Sequence, residues 1–302
     1  MTLSRRQFAA TASLAALATL VRADGKSGPT IITNVYPWTT FATREKKDFY
    51  KDLDGGLAQV KAAGLDGFEP VLTSLDAVKT IAPLLKKHDL TLKSFYINSK
   101  LHEKADADAS IATAVEVSAA AKELGAQVVV TNPAPIKWGG PENKTDDQIK
   151  LQAEKLDDLG EKLRKQGQTL AYHNHDIELR NAAREFHHML AGTDPQNVKF
   201  CLDAHWVYRG SGDSNVALFD VLKLYGDRIV ELHLRQSAKG TWTEDFGDGD
   251  IDYAKLWKTL QGMKLSPLLV LEQAVEAKSA NTMNAVDAHK KSVGYAKKVF
   301  VG

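Results

Sequence analysis

The 302-residue sequence contains a single cysteine, which excludes an internal disulfide framework and any multi-cysteine zinc site. It carries little net charge: 39 Lys and Arg against 38 Asp and Glu give +1. That balance argues against a nucleic-acid binder that works by charge alone, because phosphate contacts need a basic face. Beyond residue 23, no stretch approaches the roughly 18 consecutive apolar residues of a membrane-spanning helix. No Pro-, Gly- or Ser-rich linker and no low-complexity tract divides the chain. What the sequence does have is 43% hydrophobic residues, too many for disorder and enough for a sizeable core.

Residues 1–23 read MTLSRRQFAATASLAALATLVRA. Arg5 and Arg6 precede Phe8, an Ala- and Leu-rich run, and Val21-Arg22-Ala23 as a small-residue cleavage site. This is the pattern of a twin-arginine export signal. It predicts a signal at 1–23, a mature domain at 24–302, a periplasmic or extracytoplasmic location, and no membrane insertion after cleavage. Removing Arg5, Arg6 and Arg22 leaves 36 basic against 38 acidic residues. A route that exports folded proteins suits an enzyme that takes up a cofactor first.

The remaining sequence alternates short apolar runs with longer helical patterns. Strands are predicted at Ile31–Pro37, Asp66–Leu72, Thr91–Asn98, Gln127–Pro133, Thr169–His175, Val198–Trp206, Ile229–Ser237 and Pro267–Ala274. Helices are predicted at Glu45–Ala63, Leu75–His88, Asp108–Leu124, Asp146–Lys165, Ala182–Ala191, Val216–Tyr225, Tyr253–Gln261 and Met283–Val299. Gly64, Gly125 and Gly167 fall where helices end. Ser74, Thr145 and Asp252 fall where they begin. Eight βα units predict the α/β class and a single (β/α)8 barrel. A doubly wound open sheet would want a Gly-rich phosphate turn after the first strand, where this chain reads YPWTTF.

In such a barrel, chemistry sits at the C-terminal ends of the strands. Four of the nine histidines, His173, His175, His205 and His233, fall there on three neighbouring strands. The last strands also end in Asp203 and Glu272. Alternation along a strand keeps His173 in phase with His175, Cys201 with Asp203, and Glu231 with His233. Unpaired carboxylates behind apolar runs are costly, so a bound cation is the economical explanation. A mixed carboxylate and imidazole set suits Mn, Zn, Fe or Co better than Ca. Glu231, one layer below His233, reads as core or as support for it, and Cys201 as a small buried residue. Trp38 and Trp138 offer stacking faces, or rim or core packing. His205, Glu69 and Lys100 are further candidates for substrate contact, and Arg235 and Lys239 for an anionic group.

At these residues the sequence resembles the xylose isomerase-like TIM-barrel superfamily of sugar isomerases and epimerases. The resemblance spans the mature chain and rests on GLDGFEP at 64–70, YHNHDIEL at 172–179, CLDAHW at 201–206, ELHLRQ at 231–236, FGDGDIDYAKL at 246–256 and LVLEQ at 269–273. It implies one divalent metal ion, with Mn first among Mn, Zn, Co, Fe and Mg. Asp203, His233 and Glu272 match three of the family's four ligands. The fourth, a Glu at the end of strand 5, is here His173. The YHNH-type branch, which this chain looks like, carries a later Glu, so Glu178 is taken as the ligand, with His173 as the alternative. Catalytic roles then fall to Glu272, Glu178, His173 and His175. Substrate contact falls to His205, Glu69, Trp38 and Lys100.

The implied activity is a metal-dependent sugar isomerase or epimerase that abstracts a proton next to a carbonyl. The alternative is a lyase or dehydratase that eliminates a β-leaving group from a keto-sugar or 3-keto-glycoside. The partner is a small sugar-derived molecule, and a homo-oligomer stays open. An abasic-site endonuclease of the superfamily would want more metal ligands and a basic face. A non-catalytic sugar binder would not need the ligand set.

Overall fold

The computed structural model describes residues 30–301, so the signal expected at 1–23 lies outside the described residues. Eight parallel strands form one sheet: β1 (Ile31–Asn34), β2 (Phe68–Glu69), β3 (Ser94–Tyr96), β4 (Val128–Thr131), β5 (Thr169–His173), β6 (Val198–Asp203), β7 (Ile229–Leu234) and β10 (Leu268–Leu271). Their order is β2-β1-β10-β7-β6-β5-β4-β3. The ends of this series meet through bridges between Gly67 and Thr91 and between Val71 and Tyr96. Phe68 N donates to Thr91 O at 3.0 Å and Leu72 N to Tyr96 O at 2.9 Å, which closes the barrel. Any side chain at Gly67 would run into Thr91 O, 2.5 Å from the position of its Cβ, so the approach there requires glycine.

Ten α-helices are seen among the described residues: α1 (Val35–Arg44), α2 (Leu53–Ala62), α3 (Leu75–Lys87), α4 (Lys104–Lys122), α5 (Asp146–Lys165), α6 (Arg180–Ala191), α7 (Ala204–Gly210), α8 (Asn215–Tyr225), α9 (Tyr253–Gly262) and α10 (Ala285–Phe300). They pack apolar faces on the strands in a continuous core that includes Leu57, Val117, Leu156, Phe186, Leu222 and Leu256. The chain is therefore a single TIM barrel of the α/β class, as its alternating pattern predicts. None of the helices described is long and apolar enough to cross a membrane.

The punctuation follows the expectations. Thr145 forms a reciprocal capping box with Gln148, and Ser74 and Asp252 cap α3 and α9. Gly64, Gly125 and Gly167 all take positive φ just past α2, α4 and α5.

The helix expected at Glu45–Ala63 begins only at Leu53, and two further helices stand where the sequence reading expects strand. The predicted strands Ile31–Pro37 and Val198–Trp206 stop early, and α1 and α7 begin at once. The last strand residue is itself the helix cap in each case. Asn34 accepts a hydrogen bond from Tyr36 N at 2.7 Å, and Asp203 from Trp206 N at 2.9 Å. A strand that turns straight into a helix leaves no polar loop to mark the boundary.

After β7 the chain adds a small antiparallel hairpin, β8 (Ser237–Ala238) and β9 (Thr241–Trp242). Lys239 and Gly240 between them both have positive φ, 55° and 76°, as a type I′ turn demands. The hairpin folds Trp242 back over the end of the barrel.

Candidate active site

Strand register builds the site in two layers. Asp203 of β6 pairs with His233 of β7, and Cys201 with Glu231 one step below. Asn34 of β1 pairs with Glu69 of β2 in the lower layer. Glu272 lies just past β10, its amide donating to Leu234 O at 3.0 Å. Asn174 fixes the neighbouring strand end, because its side chain accepts from Asp203 N at 3.1 Å and donates to Asp203 O at 3.2 Å.

In the upper layer, His233 Nδ1 lies 3.1 Å from Glu272 Oε2. Arg235 Nη2 donates to that same oxygen at 2.8 Å and sits 3.6 Å from Asp203 Oδ2. His173 Nε2 completes the ring at 3.8 Å from Asp203 Oδ2 and 3.9 Å from Glu272 Oε2. In the lower layer, His233 Nε2 lies 3.2 Å from both Glu231 Oε1 and Glu69 Oε2. Glu69 is held in turn by Asn34 and by Ser94 Oγ at 3.0 Å. All these side chains are buried.

Burial and neighbouring charge set the protonation states. Burial would raise Glu272, but His233 and Arg235 hold it well below the usual carboxylate range. Burial pushes Asp203 up to about 7, against the pull of Arg235. Burial and the adjacent Glu69 push Glu231 up to about 8. Burial opposes a charge on His233, yet the surrounding acidic groups raise it well above its ordinary value. Burial lowers His173 well below its ordinary value, with His233 adding to it. Burial also takes His175 to about 3 and His205 to about 2. The site thus combines two cations, Arg235 and His233, with acidic groups and the neutral imidazoles of His173, His175 and His205.

The donor set fits a divalent cation. Ligand atoms of His173, His233 and Glu272 all lie within 4.8 Å of one another. Among the described residues, Asp203 Oδ2 and both ring nitrogens of His173 are buried without hydrogen-bond partners, and a cation beside the cluster would satisfy Asp203 Oδ2. Cys201, Glu231 and His233 form a second close trio in the lower layer. Burial raises the Cys201 thiol well above its ordinary value, so it remains a neutral, poor ligand there.

The remaining expected site residues are distributed differently. Glu178 does not enter either trio. Its carboxylate accepts from Asn132 Nδ2 at 2.8 Å and from His175 N at 2.7 Å, and burial raises it to about 7. It shapes the turn that aims His175. Trp38 is corrected to a core residue, 2% exposed and stacked on His289 at 4.1 Å, because α1 turns it inward. Lys100 is corrected to a surface residue paired with Asp106 at 2.5 Å. Glu69 lies beneath His233 rather than at the mouth. His175 stands at the mouth between Trp138, 5.0 Å away, and Trp206, 5.7 Å away. His205 is buried against Trp206, Tyr208 and Trp242.

The sequence reading missed Tyr36, Trp242 and the full surroundings of Arg235. The guanidinium lies 4.3 Å from the Trp242 ring, 4.9 Å from Trp206 and 5.6 Å from Tyr36. The Lys239-Gly240 turn was the available signal, since it returns Trp242 toward the strand end.

The family described as "Xylose isomerase-like TIM barrel" matches residues 57–298. The chain belongs to this family. Among curated members, inosose dehydratase of Clostridium perfringens is 24% identical over 265 residues, covering 78% of this chain and 86% of its relative. Inosose dehydratase of Salmonella typhimurium is 26% identical over 169 residues, covering 50% and 55%. The D-allulose 3-epimerase structure from Methylomonas sp. superposes with a TM-score of 0.68 at 17% identity, over 91% of this chain and 98% of that one. The 3-keto-D-glucoside 4-epimerase of E. coli gives 0.65 at 15% identity, over 89% and 99%. These structural likenesses carry the barrel fold. The protein is an enzyme of the isomerase, epimerase or lyase kind.

Proposed function

We propose that this enzyme is a metal-assisted lyase that eliminates a β-oxygen substituent from a keto-sugar or 3-keto-glycoside. The carrying observation is His173, a buried imidazole with both nitrogens unpartnered, facing Asp203 and Glu272 at 3.8 and 3.9 Å. A neutral imidazole there accepts the proton from the carbon next to the carbonyl. The C–H electron pair moves toward the carbonyl oxygen, giving an enediolate. As that charge returns, the bond to the β-oxygen breaks, and the imidazolium gives its proton to the departing oxygen. Arg235 provides a donor for substrate oxygen.

Asp203, His233 and Glu272 would hold the divalent ion, Mn by preference. A divalent ion bound there would supply positive charge beside the substrate oxygens. The curated relatives named above are dehydratases, which supports elimination. Isomerisation or epimerisation is the second reading. It shares the proton abstraction, has the epimerase-like fold in its favour, and would use Glu272 as the second base.

The test is metal-loaded enzyme with keto-sugars and 3-keto-glycosides in deuterated water, followed by NMR. Elimination gives an unsaturated product, whereas deuterium retained in an intact sugar favours the second reading. Asp203→Asn and His233→Ala should lose bound metal and turnover together, and full turnover in metal-free enzyme would refute metal assistance. His173→Gln should keep the metal and lose at least about a hundredfold in kcat. Loss of the metal in that variant would make His173 a ligand. We also propose that the Arg5-Arg6 pair directs export; replacing both with Lys should retain the protein in the cytoplasm, seen by fractionation.

A further inference from the structure

The loop from Asn132 to Thr145, between β4 and α5, turns two large apolar side chains to solvent at the barrel mouth. Ile136 is 44% exposed and Trp138 is 57% exposed. Leaving both in water is costly for a loop, yet the loop is firmly held. Arg180 Nη1 donates to Gly140 O at 2.8 Å, and Arg184 donates to Lys144 O. Lys144, 2% exposed, pairs with Glu185 at 2.6 Å. The indole meets the His175 ring at a steep angle, 74° between planes, with ring centroids 5.0 Å apart. His175 in turn lies 4.8 Å from His173 in the polar cluster. The exposed indole thus stands one ring away from the proposed reacting centre, and that ring, His175, has a buried Nδ1 without a hydrogen-bond partner among the described residues.

We propose that Trp138 is the platform of a subsite for a second ring, so that the substrate is a glycoside rather than a free monosaccharide. The reacting sugar lies over His173, Asp203 and Glu272. The ring attached to it stacks on the indole, and His175 faces the oxygen that joins the two. The apolar face of a pyranose and a flat aromatic aglycone both suit such a platform. This proposal rests on the keto-sugar reading of the site, which it narrows.

Binding to non-reacting ligands tests it independently of turnover. Calorimetry on Mn-loaded enzyme would compare methyl β-glucoside, cellobiose and phenyl β-glucoside. At least one two-ring ligand should bind about tenfold tighter than methyl β-glucoside, and which of them does so tells a sugar from an aromatic second ring. Trp138→Ala should erase that preference, and Trp138→Phe should keep most of it. With 3-keto derivatives, Trp138→Ala should raise KM for the two-ring substrates with little change in kcat. Equal binding of all three ligands by the wild type would overturn the proposal, as would a Trp138→Ala loss that is the same for each. Absence of turnover with every keto-sugar would count against the lyase reading alone, because the binding comparison stands without it.

Discussion

His233 is held from both sides. Glu272 meets its Nδ1 at 3.1 Å, and Glu231 and Glu69 meet its Nε2 at 3.2 Å. With a cation bound, a hydrogen on Nε2 directed at the lower carboxylates would leave Nδ1 with its lone pair toward the cluster, the form a metal requires. Glu231→Gln should therefore weaken metal affinity about 10- to 100-fold, measured by titration calorimetry, while the circular dichroism spectrum stays unchanged. The sequence showed that Glu231 shares a face with His233 because strand alternation is a local rule. It did not show that Glu69, more than 160 positions earlier, reaches the same nitrogen, since that depends on barrel closure. Trp38 and Trp138 show the same limit. Both follow strands, but α1 turns Trp38 against His289 and the clamped loop turns Trp138 outward.

Among the elements, the eight strands were legible because buried parallel strands are apolar throughout. Helices α1 and α7 were not, because Asn34 and Asp203 end a strand and start a helix at once. That economy has a functional effect at Asp203: Oδ1 caps α7, which leaves Oδ2 for the cluster. Loops are tied with similar directness at Glu244, between β9 and α9. Its carboxylate accepts from Arg44 at 2.8 Å, from the Thr282 hydroxyl at 2.6 Å and from the amides of Thr282 and Met283. These bonds overcome burial and lower its pKa to about 2. A carboxylate depressed on folding contributes stability above its unfolded pKa, near 4.5. That contribution is lost as pH falls from there toward 2. Glu244→Gln should cost about 1–3 kcal/mol at pH 7 and flatten the decline in stability between pH 5 and 2, followed by urea unfolding.

For the whole molecule, a cation bound in the buried cluster would couple ligand binding to folding. A cation held by the native barrel and not by the unfolded chain raises stability by mass action. Mn at about a hundredfold excess over its Kd should raise Tm by about 5 °C, and a chelator should reverse the gain. No such shift for any of Mn, Zn, Co, Fe or Mg would count against the metal site.

The barrel also has a weak side. β2 and β3, where the circle closes, have two and three residues, whereas β5, β6 and β7 have five, six and six. Hydrogen exchange should follow that division, with Phe68 and Leu72 amides exchanging well before those of Tyr172, Leu202 and Leu232. Thermal opening then splits the wall along the short strands first. The staves that carry His173, Asp203 and His233 stay joined while it does, so the enzyme can breathe without dispersing the side chains proposed for its chemistry.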